Sequence, residues 1–204
     1  MSALSRQLSS QFRSHWIGVK FYKQKPRLKD VVKPEGIRFC EATKRAILDP
    51  VLLDKQSITC PGAHFAFGWI SGPTKEDELL DSCQDKRNIQ KNTLQSMISG
   101  VHHFNTPFEC IGLNTDDEPD LMMSYLVPEE AMKLIRTYHN NQRKNLDISV
   151  CSMMSICGGI AVRTFLDNQI SFSFGCDDSR KYAEIGRDRL AVGIPKELFK
   201  IFVD

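Results

Sequence analysis

The chain has 204 residues, 41% of them hydrophobic, with 12 glycines and 9 prolines, which supports one sizeable core and excludes a disordered or fibrous chain. The formal net charge of +2 says little about partners, and no nucleic-acid motif accompanies it, so a nucleic-acid partner is not expected. Its distribution is uneven: Met1 to Arg45 carry eleven Lys/Arg against three acids, and Lys75 to Asp120 carry ten acids against four bases, a pattern read as a solvated basic face complementing an acidic one.

The uncharged run from Ile148 to Val162 has 15 residues, short of the roughly 20 that a membrane span needs, so no membrane partner is expected. The N-terminus lacks the apolar core of a signal peptide, although its first 29 residues contain no acid. Leu4, Leu8, Phe12 and Trp16 recur every four residues, which predicts an amphipathic first helix packed on the domain; a cleaved organellar presequence is the alternative. The expected location is cytoplasmic. Seven cysteines, an odd number in a chain without an export signal, argue against a disulfide framework. Core packing, metal ligation or thiol chemistry remain.

In chain order, "WIGVKFYK" (16–23) reads as a strand, and "QKPRLKDVVKPEG" as a loop with a proline near each end. A helix follows from Cys40 to about Leu48, stopped by Asp49-Pro50. "SITC" reads as a short strand and "PGAHFAFGW" as the start of a helix with proline at its first position. Residues 72–92 are polar and loop-like, and "TLQSMISG" (93–100) is a short helix ending at Gly100. "ECIGLNT" and "LMMSYLV" bracket the acidic turn "DDEPD" and read as two strands, paired or not. "PEEAMKLIRTYHNN" is the clearest helix, with Pro128 at its start and Glu129 and Glu130 in its first turn. "LDISV" reads as a strand, "SMMSICGGIAVRTFLDN" as an apolar helix, "ISFSFG" as a strand, "CDDSRKYAEI" as a polar turn with helical potential, "RLAVGIP" as a strand and "KELFKIFVD" as a closing helix.

Two segments share a layout. "RFCEATKRAIL…SITCPGAHFA" and "SICGGIAVRTFLD…SFSFGCDDSRKYA" each open a helical stretch on a cysteine, then run through a short β segment to a second cysteine. The cysteines are 20 residues apart in the first and 19 in the second. The expected fold is α/β or α+β with two pseudo-repeated lobes, each strand–helix–strand–helix, forming one compact domain over residues 1–204, with repeats at 16–70 and 120–190. Each cysteine then lies at a strand end or a helix start, where backbone N–H groups favour a thiolate. Four thiolates, Cys40, Cys60, Cys157 and Cys176, are the ligand number of a tetrathiolate zinc or a four-iron cluster. The spacing by itself is weak evidence: the chain has no C-x-x-C knuckle, and buried packing cysteines are the competing reading.

"GIRFCEATKRA", "ITCPGAHFAFGW" and "ISFSFGCDDSRKYAEIGRDRLAVGIPKE" together resemble domain of unknown function family 169, a family of archaeal and bacterial proteins, over about Trp16 to Ile201. The likeness rests on Phe39-Cys40, Cys60-Pro61-Gly62-Ala63, Gly68, Gly175-Cys176, Arg180 and the closing "VGIP". The family pattern has glycine two residues after the last cysteine, where this chain has Asp178. The resemblance implies no reaction. It does imply that Cys40, Cys60, Cys157 and Cys176 match the family's cysteine-bearing segments, and its frequency in anaerobes fits oxygen-sensitive chemistry. The favoured reading is therefore a redox-related protein holding a [4Fe–4S] cluster, or zinc, through these four cysteines, with a redox partner protein and a homo-oligomer left open. The alternative is a metal-free, two-lobed module for a small ligand or a protein, with no cofactor.

The other candidates are weaker. Cys60 and His64 could pair as thiolate and imidazole, but no base-orienting partner or oxyanion hole is visible. Of His102-His103, at most one could be a metal ligand, because neighbours point apart. Arg180 could hold an anion or a reduced cluster's charge, or pair with Asp177, Asp178 or Glu184. Cys83 and Cys110 are assigned to packing, and Met122, Met123, Met153 and Met154 to core filling. No dinucleotide fingerprint, P-loop or zinc-protease motif is present.

Overall fold

The computed structural model describes residues 3–70, 79–80, 90–150 and 152–203. It contains α1 (Ala3–Phe12), β1 (Trp16–Tyr22), α2 (Phe39–Arg45), β2 (Val51–Asp54), α3 (Pro61–Ala66), α4 (Lys91–Ser99), β3 (Cys110–Leu113), β4 (Leu121–Leu126), α5 (Pro128–Gln142), a π-helix (Cys157–Val162), α6 (Arg163–Asp167), β5 (Ser171–Ser173), α7 (Asp177–Tyr182), β6 (Leu190–Pro195) and a 3-10 helix (Lys196–Phe202). The strands form one six-stranded sheet in the order β2-β3-β1-β4-β6-β5, antiparallel throughout.

Alternation along the strands divides the interior into two cores. Ile17, Val19 and Phe21 of β1, with Leu121 and Met123 of β4, face one core with α2, α3, α4 and the π-helix. Trp16, Met122 and Leu126 face the other, with Leu8 and Phe12 of α1, Leu134 and Tyr138 of α5, and Phe199 and Phe202 of the closing helix. Both cores are aromatic. Phe12 meets Trp16 edge-on at 5.6 Å, and Phe21 meets Phe104 and Phe165 at 5.0 Å each. Edge-to-face rings add to the burial of their area.

β3 and β4 do not pair with each other. They lie on opposite sides of β1, and the segment between them is tied to that strand. Asn114, in the left-handed region at φ 52, accepts from the Gly18 N–H and donates to the Ala46 carbonyl. The Asp120 carboxylate takes the Phe21 N–H and the Lys20 ammonium, each at 2.8 Å. The acidic turn is thus a strap across β1.

The chain does not separate into two lobes, since both halves complete one sheet around the β1–β4 pair. Within it, residues 16–113 and 121–195 share an order: strand, helix, strand, helix, strand, with α4 inserted in the first and α5 in the second. Outward from the β1–β4 pair, each half contributes its first, third and second strands.

Several local expectations are corrected. "SITC" is not a strand: Ile58 makes one parallel bridge to Ile37, and the strand lies earlier, at β2. "LDISV" carries no strand among its described residues. The apolar helix expected over 152–168 begins with turns, passes through the π-helix and becomes α-helical only at Arg163. The expectations for Cys83 and for most of 72–92 lie outside the described residues. Cys110 packs as expected, fully buried against Tyr22 and Leu52.

Candidate functional site: a cavity of four thiols

A short backbone bridge brings the first two cysteines together. The Ile37 N–H donates to Ser57 at 3.0 Å and the Thr59 N–H donates to Ile37 at 3.0 Å, which sets Arg38-Phe39-Cys40 beside Cys60-Pro61. Both segments then turn into helices. Arg38 is the N-cap of α2, and its N–H reaches Glu41 Oε2 at 3.4 Å, so Cys40 falls in the first turn. Thr43 Oγ1 donates to the Cys40 carbonyl at 2.6 Å and is met by the Tyr125 hydroxyl at 2.8 Å. Cys60 is the N-cap of α3, with Pro61 following at the position where a missing N–H costs nothing.

The second half repeats the arrangement with different chemistry. Cys157 opens the π-helix, and the carbonyl of Met154 accepts from the Gly158 and Gly159 N–H groups at 2.8 and 3.1 Å and from the Cys157 thiol at 3.6 Å. Met154 is itself left-handed at φ 49, a strained setting for a residue with a side chain. Cys176 is the N-cap of α7, closed by reciprocal hydrogen bonds with the Ser179 hydroxyl, both at 2.8 Å.

The halves interlock at these points. Cys40 Sγ lies 3.9 Å from the Asp178 carbonyl, Arg38 pairs with the Asp178 carboxylate at 2.6 Å, and the guanidinium stacks 4.3 Å above the Tyr182 ring. Gly62 lies so close under Met154 that a Cβ there would come within 2.7 Å of the Met154 side chain. Between the halves is a cavity of about 280 Å³, lined by Cys40, Cys60, Cys157 and Cys176 together with Arg38, Asp177, Asp178 and Met154. The four cysteines named from sequence therefore share one chamber. Among the described residues, however, no three His, Cys, Asp or Glu side chains already close on a point as a metal site.

Burial dominates the thiol chemistry. It pushes Cys40 up to about 12, with the neighbouring Cys176 and Cys60 adding to the shift. Burial, followed by Cys60 and Cys176, likewise holds Cys157 well above an ordinary thiol. Both shifts favour the protonated thiol, so a soft cation binding here would have to displace protons. Burial opposes the charge on Arg38, but Asp178, then Cys60, Tyr182 and Cys40, more than offset it, so the net direction is upward. All five described cysteines are free.

The donor set fits a soft metal centre: thiolates select iron–sulfur clusters, zinc and Cu(I), whereas Ca²⁺ and Mg²⁺ take oxygen ligands. Zn–S bonds are about 2.3 Å, which requires four sulfurs converging on a point.

Arg180 does not line the cavity. Its guanidinium donates to the backbone carbonyls of Ile185, Gly186 and Arg189 and braces that loop. His64 also turns away: Nε2 donates to the Ile58 carbonyl at 2.7 Å, and the ring stands edge-on to Trp69. His102 pairs with Asp167 at 3.1 Å, whereas His103 donates to Val101 and packs on Phe65. The residue overlooked in the sequence is Arg38, whose only local signal is its place two residues before Cys40.

Over residues 9–204 the chain matches the family described as uncharacterised ArCR, domain of unknown function family 169, and it belongs to that family. It is 29% identical over 208 residues to an uncharacterised protein of Methanocaldococcus jannaschii, covering 93% of this chain and 85% of that protein. No solved structure matches the chain significantly. No described helix is long and apolar enough to cross a membrane.

Proposed function

We propose that this protein is a cytoplasmic metalloprotein in which Cys40, Cys60, Cys157 and Cys176 hold an iron–sulfur cluster of the four-iron class, in the service of electron transfer or a redox enzyme assembly. The observation that carries the proposal is that four cysteines from both halves of the chain line one chamber. The shared element order of the halves supports an internal duplication that set one pair of cysteines opposite the other. Four cysteines are the ligand number of a four-iron cluster, and of a tetrathiolate zinc ion as the competing metal. A bound cluster would supply one-electron transfer. The protein's own part is to present four thiols, to surround them with apolar walls, and to leave Cys60 and Cys176 half-exposed toward a redox partner.

Anaerobic purification followed by iron, sulfide and zinc analysis tests this. The expected result is a brown protein with about four irons per chain, bleached by air. A colourless anaerobic preparation free of iron and zinc would sink the proposal. That outcome favours the second reading, a metal-free module that takes a small ligand in the same 280 Å³ chamber; the second reading predicts that serine at any of the four cysteines leaves ligand binding intact.

A further inference from the structure

The cavity has an uneven charge inventory. Its described lining contains four cysteines and two aspartates, and one cation, Arg38. A metal centre displaces the thiol protons, so the chamber becomes more negative as it fills, and Arg38 is the one positive group among its described lining residues. That group is well placed. Its side chain is 22% exposed, against 45% for Asp178, and it stacks on Tyr182, which limits its freedom. A guanidinium has five N–H donors, and among the described residues its side chain has one hydrogen-bond acceptor, Asp178.

We infer that Arg38 is the charge-compensating positioning residue of the thiol cavity, and that Asp178 competes with the thiolates for it. The inference rests on the four cysteines being ligands. In the structure Arg38 joins the first turn of α2, which carries Cys40, to the first turn of α7, which follows Cys176. A guanidinium there lowers the cost of gathering thiolates, as outer groups around metal sites do, and Asp178 cancels part of that effect. The two partners of one ion pair thus act on the centre with opposite sign.

The opposed signs give the test. Apo-protein is titrated anaerobically with Co²⁺, read by its thiolate-to-cobalt absorption, for wild type, Arg38→Gln and Asp178→Asn, with thermal unfolding to show that each is folded. Arg38→Gln should weaken Co²⁺ binding by about 10- to 100-fold, and Asp178→Asn should tighten it by about 3-fold or more because a competing negative charge is gone. In reconstituted protein the same variants should lower and raise the cluster midpoint potential, respectively. If both variants weaken binding, the pair merely holds two helices together and the inference is overturned; if neither changes it, Arg38 plays no part and it is overturned equally. Wild-type protein that takes up neither Co²⁺ nor a cluster brings down the metal proposal itself, and the Arg38 assignment with it.

Discussion

The two faces of the sheet are built from the same materials and do different things. The face under α1, α5 and the closing 3-10 helix is filled: Phe12, Trp16, Leu134 and Phe202 are almost wholly buried and interdigitate. The face under α2, α3 and the π-helix is equally apolar near the strands, but above them it opens into the thiol cavity. The difference lies in the helices. α2, α3 and α7, which bound the cavity, are short and start at or next to cysteines, whereas α5 runs unbroken for 15 residues. Helices that begin at the rim leave room between their ends, whereas α5 covers its face along its whole length.

The largest expected effect breaks the filled face. Phe12→Ala removes a ring that contacts Trp16 and Phe202 and should cost about 3–5 kcal/mol, measured by denaturant unfolding. The metal content per folded molecule should stay unchanged; a loss would show that the two faces are not independent. Next comes Gly68→Ala. Gly68 has φ +70, and a Cβ there would collide with the Phe104 carbonyl oxygen. A cost of about 2–3 kcal/mol is expected, measured by denaturant unfolding.

The cysteines sharpen the comparison within the cavity. Cys157→Ser puts a hydroxyl into a buried site and should destabilise the apo-protein by about 1–2 kcal/mol, while Cys60→Ser, at a half-exposed cap, should stay within about 0.5 kcal/mol. Both should abolish stoichiometric metal uptake. Equal uptake by either variant would remove that cysteine from the ligand set. The smallest effect is at Asp54, in the turn that leads to Cys60. Burial opposes its charge, but hydrogen bonds from Ser57 and the Lys25 ammonium prevail, so its carboxyl titrates below the ordinary value of 3.8. A depressed carboxyl stabilises the fold above its unfolded pKa, and that stability is lost as pH falls through the folded value. Asp54→Asn should therefore lower the neutral plateau of a melting-temperature profile slightly and converge with wild type at acid pH, which flattens the acid limb.

Elements whose cause is local were legible in the sequence. The first helix, with its four-residue apolar repeat, lies at Ala3–Phe12, and Pro128 with two glutamates marks the start of α5. β2 was missed because "VLLD" is a short apolar run with no alternation, directly after Pro50, where periodicity carries no signal. The π-helix was missed because its widened turn depends on the Met154 carbonyl taking two N–H groups, which no propensity encodes.

The sequence by itself determined that Cys40, Cys60 and Cys176 stand at or beside the starts of helical segments, because proline, glycine and strand-ending residues act within a few positions. Tertiary structure alone decided that these starts face one another, that β1 separates β3 from β4, and that Arg180 braces a loop while Arg38 meets Asp178 across 140 residues of chain. Contacts at that separation follow from how the sheet closes around its central pair, and a side chain's partner there is set by the fold and not by its neighbours in sequence.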